Sequence, residues 1–456
     1  MGKRISIAVV ICAAFFSLTT LAISQIDRKL KDDLYAQIEL YSYALTTIQS
    51  DYVEEKTPKE LIYGSLKGML GSLDPHSQFL DPEEYKELKT ETQGKFGGLG
   101  IEISIRDGLL TVITPIEDTP AWKAGIKAGD RIVKIENELT KDMTLDDAVK
   151  KLRGKPGTTV NITVLREEAV KILEFSIVRE IIHIQDVKNT QILTDKIGYV
   201  RLVEFREDSA GEFHKALENL TGQGADSLIL DLRNNPGGLL NVAIKITEEF
   251  LPEGEIIVST KGRHPSQDTI TYSANKDHVI NWPIVVLINE GSASGSEILA
   301  GALKDNKRAI TLGTTSFGKG SVQSVIPLPD GSGLRLTTSK YFTPSGISIH
   351  GKGITPDVVV KRILPDEEET AEKEKAKTKE KDITKIFEDV QKEKPSEDQE
   401  KLKLTDKEME AREMLLEDNQ VQSAISVLKA IRVYKQFGQK PAEASPETPA
   451  PADVKS

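Results

Sequence analysis

The spacing of hydrophobic positions changes along this chain, and each change predicts a different kind of structure. Between residues 27 and 90 the period is helical: Leu34, Ile38, Tyr41, Leu45 and Ile48 fall on one stripe. A second helix is predicted to open at Thr57-Pro58-Lys59-Glu60. There threonine caps, proline suits the first turn and glutamate reaches back to a free amide, with Gly71 as a natural stop. Asp81-Pro82-Glu83-Glu84 repeats the start signal. From 91 to 180 the period drops to two. Ile101, Ile103 and Ile105 alternate with polar residues before an Asp107-Gly108 turn, and Val160, Ile162 and Val164 alternate again. A short helix around Ala121-Trp122 and another starting at Thr144 interrupt these strands.

From 181 to 361 strands and helices alternate, the mark of an α/β layer fold. Leu228–Leu232 and Pro283–Ile288 are continuous apolar runs that read as buried strands, each feeding a Gly- or Ser-rich turn and then a helix. Beyond residue 364 the chain turns Glu- and Lys-rich, which predicts a solvated linker up to about 403. Thr405 and Glu408 offer one more helix cap, and Val421, Ile425, Leu428 and Ile431 one more apolar face. The residues after Gln439, rich in Pro, Ala and Glu, read as disordered.

At the other end, Lys3 and Arg4 precede an apolar run from Ile5 to Ile23, long enough for an export signal or a membrane anchor. Ala22-Ile23-Ser24 offers a small-x-small cleavage site, so the sequence leaves both readings open. The resulting division is 1–26 signal peptide or anchor, 27–90 helical region, 91–180 strand-rich domain, 181–361 α/β domain and 362–456 charged extension.

Composition narrows the chemistry. A net charge of −11 argues against a nucleic-acid partner. The single cysteine, Cys12, excludes an intrachain disulfide or a cysteine zinc site. None of the six histidines forms an i, i+4 pair, so no metal or other cofactor is predicted.

Three runs can carry a reaction without either. In Asn289-Glu290-Gly291-Ser292-Ala293-Ser294-Gly295-Ser296-Glu297 a serine stands at a helix N-terminus, where free amides and the macrodipole favour negative charge. Taken alone, helix capping explains these serines as well. In Thr315-Ser316-Phe317-Gly318-Lys319-Gly320 a lysine sits between glycines after an apolar strand, and Gln323 follows four residues on. An inward-pointing neutral lysine can take a serine's proton without histidine. A Walker loop is excluded because Gly320 stands where Ser or Thr is required. Asp231-Leu232-Arg233-Asn234-Asn235-Pro236-Gly237-Gly238 also leaves a buried strand, and its glycines expose amides that suit an oxyanion hole or a plain turn.

Together, and in this order, the three runs resemble the C-terminal processing (tail-specific) peptidases over residues 40 to 360. The resemblance implies Ser294 as nucleophile, Lys319 as general base and Gln323 as the third member. The interval 319 − 294 = 25 is the one the family shows. It also implies oxyanion amides at Gly237 or Gly238 and at Gly295, where the family more often has alanine. Residues 91–180 resemble a PDZ domain, with Gly97-Gly98-Leu99-Gly100-Ile101 as its carboxylate loop; Gly98, Leu99, Gly100 and Ile101 are the candidate peptide contacts. Asp74-Pro75-His76-Ser77 fits the same family, with His76 structural.

The implied fold is multidomain α/β: a helical N-terminal region, a mixed α+β PDZ domain, an α/β crotonase/ClpP-like serine-peptidase core, and a charged, partly helical tail. The implied partners are polypeptides with free, apolar C-termini on the periplasmic side of the membrane, with residues 5–23 as the membrane contact and a homo-oligomer left open. Two competitors belong to other classes: a PDZ-bearing scaffold with an inert peptidase domain, and a thioester-acting acyl-transfer enzyme on a crotonase-like fold.

Overall fold

The computed structural model describes residues 33–106, 108–116, 118–141, 143–166, 171–276, 280–363, 409 and 412–437. The export segment, the charged run from 364 to 403, the cap at Thr405 and Glu408, and the tail after Gln439 all lie outside the described residues. The chain divides into two units, the first comprising residues up to Glu84 together with Ser324–Thr337.

In the first unit, residues 33–51 are helical, and Leu34, Ile38 and Ile48 of the predicted stripe are exposed. Helix Pro58–Gly71 opens with the predicted reciprocal cap. Thr57 Oγ1 accepts the Glu60 amide at 3.2 Å, and Glu60 Oε2 accepts the Thr57 amide at 2.8 Å. Asp81 Oδ1 likewise accepts the Glu83 and Glu84 amides, both at 2.9 Å, ahead of helix Pro82–Gln93. Asp74 Oδ1 accepts the His76 and Ser77 amides, which makes Asp74–Ser77 a turn. Strand Gln78–Leu80 then pairs antiparallel with the far-off strand Gly333–Phe342, Gln78 opposite Arg335 and Leu80 opposite Gly333.

The second unit begins with the PDZ-like segment. Strands Ile101–Arg106, Leu109–Pro115, Arg131–Ile135, Thr159–Arg166 and Lys171–Val178 lie side by side in chain order, each antiparallel to its neighbour. Helix Leu145–Leu152, capped by Thr144 and Asp147, covers them. The alternating residues Ile132, Ile135, Val160, Ile162 and Val164 are buried and build its core. Strand Lys95–Gly98 pairs instead with Glu180–His183, which closes the segment where it began.

The rest of the unit is built on one six-stranded sheet. Its order is Val187–Thr194, Ile197–Leu202, Ser227–Asp231, Ile284–Ile288, Ile310–Gly313 and Val358–Val359, with all pairs parallel after the first. Ser227–Asp231 and Ile284–Ile288 are buried throughout, so apolar side chains are needed on both faces and the runs are continuous. Leu228, Leu230, Val286 and Ile288 meet helices Ser209–Gly222, Leu240–Glu248 and Gly295–Asp305. Tyr199, Ile229, Val285, Leu287 and Leu312 point the other way and meet Val421, Ala424, Ile425 and Leu428 of helix Asn419–Phe437.

That last packing revises the division read from the sequence. A boundary at 361 cuts through one core, because part of the charged extension returns to cover the six-stranded sheet. Leu428, 2% exposed, should therefore behave as a core residue. Leu428→Ala is expected to cost roughly 2–5 kcal/mol in denaturant unfolding. A dispensable tail would give no measurable change.

Candidate active site

The Asn289–Glu297 run leaves strand Ile284–Ile288 and enters helix Gly295–Asp305 at Ser294, whose backbone has φ 52° and ψ −110°. This is a strained conformation for a residue with a Cβ, and such strain collects where a side chain must be aimed. The three serines of the run differ in their surroundings. Ser292 is fully buried and donates to the Leu232 carbonyl at 2.8 Å; Ser296 is fully buried and donates to the Asn235 carbonyl at 2.9 Å. Both hold the run to the Asp231–Gly238 turn. Ser294 alone of the three is part-exposed.

The Pro-Gly-Gly turn lies directly against Ser294. A Cβ added to Gly237 would stand 2.7 Å from Ser294 Cβ and 2.7 Å from the Gly295 nitrogen. A Cβ on Gly238 would stand 2.3 Å from the Phe205 carbonyl oxygen. Their φ angles are 99° and 143°, so both closeness and conformation require glycine. Asn235, buried beneath, organises the turn: its Nδ2 donates to the Leu202 carbonyl at 2.8 Å and its carbonyl accepts the Ala293 amide at 3.0 Å. Its Oδ1 accepts the Gly237 amide at 2.9 Å. The Gly237 N–H is thus already paired within the turn. Among the described residues no acceptor takes the amides of Gly238 and Gly295.

The lysine run reaches the same place through a residue to which the sequence reading gave no role. Glu297, completely buried in the first turn of the helix after Ser294, accepts four hydrogen bonds. Its Oε2 takes the amides of Ser294 at 2.8 Å and Lys319 at 2.9 Å. Its Oε1 takes the Ser316 hydroxyl and the Gly318 amide, both at 2.6 Å. Burial pushes its carboxyl above the usual range against the pull of these donors. One oxygen thus gathers the backbone of Ser294 and of Lys319. The signal was present as the S-x-x-E spacing of a capping box, Ser294 to Glu297. Gln323 stands in the strand Ser321–Pro327 that follows, with its Nε2 donating to Ser321 Oγ at 3.3 Å.

Residues 98–101 line a different cavity, of about 80 Å³, with Phe96, Ile103, Val149, Leu152 and Arg153 around it. The Leu99 and Gly100 amides have no acceptor among the described residues. Gly100 has φ 77°, and a Cβ there would lie 2.3 Å from Thr119 Cβ, so glycine at 100 serves the turn itself.

Residues 196–360 match the model of peptidase family S41, and residues 111–166 that of a PDZ domain. The carboxy-terminal-processing protease of Bartonella bacilliformis is 44% identical over 362 residues, 78% of this chain and 82% of that protein. The chain belongs to peptidase family S41. The carboxy-terminal processing protease CtpA of Bacillus subtilis is 37% identical, covering 71% of this S41 peptidase and 68% of the relative. A solved photosystem II D1 C-terminal processing protease shares 30% identity over 72% of this chain and 95% of its own, with a TM-score of 0.43. The protein is thus a serine peptidase with a PDZ domain, which sets aside the thioester-acting alternative.

Glu297→Gln tests the shared carboxylate. The new amide group must face two of the four donors. Each buried polar group left without a partner costs about 1–3 kcal/mol. If that displacement reaches the transition state, kcat/KM should fall by roughly ten- to a hundredfold. Steady-state hydrolysis at unchanged folded fraction measures it, and a wild-type rate would remove Glu297 from the account.

Proposed function

We propose that this S41 peptidase cleaves polypeptides near free, apolar C-termini through an acyl-enzyme formed on Ser294. The observation that carries the reading is the convergence of the Ser294 and Lys319 amides on one Glu297 oxygen, which brings the serine and lysine runs together. Ser294 Oγ attacks the scissile carbonyl while the neutral Lys319 amine takes its proton. The carbonyl oxygen, now negative, is held by the Gly238 and Gly295 amides. The C–N bond breaks as Lys319 returns the proton to the departing amine. Water then attacks the ester with Lys319 again as base, releasing the acid and restoring Ser294. Gln323 holds the Lys319 amine in place.

The PDZ cavity receives the tail. The Leu99 and Gly100 amides suit a terminal carboxylate, and the small apolar cavity between strand Ile101–Arg106 and helix Leu145–Leu152 suits a short aliphatic side chain. The basic pair Lys3-Arg4 ahead of the apolar run from Ile5 to Ile23 supports work outside the cytoplasm, exported or tethered to the membrane.

Two measurements test this. Ser294→Ala and Lys319→Ala should each abolish nearly all hydrolysis of model peptides, and the double variant should be little worse than either, because residues acting as one unit are not additive. Appreciable turnover by Ser294→Ala would overturn the nucleophile. Separately, peptides ending in a free aliphatic residue should bind the intact protein more tightly than their C-terminally amidated forms. Equal affinities in calorimetry would refute carboxylate recognition. Amidation is the sharper probe, because substitution at Gly100 would first collide with Thr119.

A further inference from the structure

The family match ends at residue 360, yet the turn that supplies the Gly238 amide is gripped by residues well beyond it. The grip is made through Arg233, which is 8% exposed. Asp231 Oδ1 accepts the Arg233 amide at 2.9 Å and its Nε at 3.0 Å. Asp231 Oδ2 accepts Nη2 at 2.7 Å and the Tyr199 hydroxyl at 2.7 Å. That leaves Nη1, which donates to Asp418 Oδ2 at 2.7 Å and to Gln420 Oε1 at 2.8 Å.

Both acceptors are held in turn. Asp418 Oδ1 caps helix Asn419–Phe437 by accepting the Gln420 amide at 2.9 Å and the Val421 amide at 3.2 Å. Gln420 Nε2 donates to the Val360 carbonyl at 2.7 Å, and Asn419 Nδ2 to the Lys361 carbonyl at 2.8 Å. The helix behind them is anchored by Val421, Ala424, Ile425 and Leu428 against the sheet. A planar guanidinium held on two edges has little freedom. Its own backbone is the residue before Asn234, where the turn enters positive φ at 58° and then runs on to Gly237 and Gly238. Conformations of this kind persist only where the surroundings fix them.

We infer that Asp418 and Gln420 are positioning residues for the peptidase reaction: through Arg233 they hold the Asn234–Gly238 turn so that the Gly238 amide meets the developing oxyanion. The start of helix Asn419–Phe437, at Asp418 and Gln420, then serves the turn, while Leu428 further along only covers the sheet. The inference rests on the oxyanion role of Gly238 given above.

The experiment compares Asp418→Asn, Gln420→Ala and Leu428→Ala in the full chain, at a temperature where all three are folded. The first two alter the grip on Arg233; the third weakens helix packing away from it. Each is measured for thermal midpoint, for kcat and KM on a model peptide, and for affinity towards a peptidyl boronate, whose tetrahedral adduct on a serine places an oxygen in the oxyanion hole. Asp418→Asn and Gln420→Ala should lose roughly ten- to a hundredfold in kcat, less than deletion of a whole oxyanion donor. KM should stay close to that of the wild type, and boronate affinity should fall by the same factor as kcat. Leu428→Ala should lower the midpoint and keep kcat. The inference is overturned if Asp418→Asn and Gln420→Ala melt earlier while kcat and boronate affinity stay at the wild-type level. A kcat loss that Leu428→Ala shares equally overturns it too. Because the wild-type protein is assayed in parallel, failure here with intact wild-type cleavage is distinct from failure of the peptidase reading.

Discussion

A carboxylate with no access to water must be met by donors, and that requirement fixes the geometry of this peptidase. Glu297 is enclosed on every side, and the four groups that satisfy it come from two stretches of chain: Ser294 on one, Ser316, Gly318 and Lys319 on the other. Charge-assisted hydrogen bonds are short and directional, so neither stretch can drift without stranding a buried charge. The glycines around Lys319 let two consecutive amides, those of Gly318 and Lys319, turn towards one carboxylate. Ser294 keeps its strained backbone because its amide is held from the same point. The backbones of Ser294 and Lys319 are thus placed by one buried side chain.

The opposite side of Ser294 is set by Asn235. Its side chain and carbonyl tie the Pro-Gly-Gly turn to strand Ile197–Leu202 and to the serine run together. Packing does the remaining work. Gly237 and Gly238 have no room for a Cβ against Ser294 and Phe205, so the turn approaches Ser294 as closely as backbone can. Ser292 and Ser296 share the motif with Ser294 but are spent on carbonyls.

Much of this was legible in the sequence. The caps at Thr57, Asp81 and Thr144 use side chains whose partners lie three residues away, and local chemistry is what a sequence displays best. The buried strands Ser227–Asp231 and Ile284–Ile288 showed as apolar runs for the same reason. What was hidden depended on distance along the chain. No local signal indicates that Gly333–Arg335 pairs with Gln78–Leu80, or that Nη1 of Arg233 finds Asp418. Val421, Ile425 and Leu428 revealed an apolar face but not the surface it covers, and Asp418 went unread as a cap. The amides suffered a related limit: Pro-Gly-Gly announces exposed N–H groups, while only coordinates reveal that Asn235 has already claimed the one on Gly237.

The late return of helix Asn419–Phe437 has a consequence for how the protein folds. Tyr199, Ile229, Val285 and Leu287 form an apolar face that residues beyond 420 cover. Contacts of such sequence separation form slowly, so this face of the sheet is covered late in folding. Until helix Asn419–Phe437 docks, that apolar face is open to wrong contacts, and its docking ends the exposure.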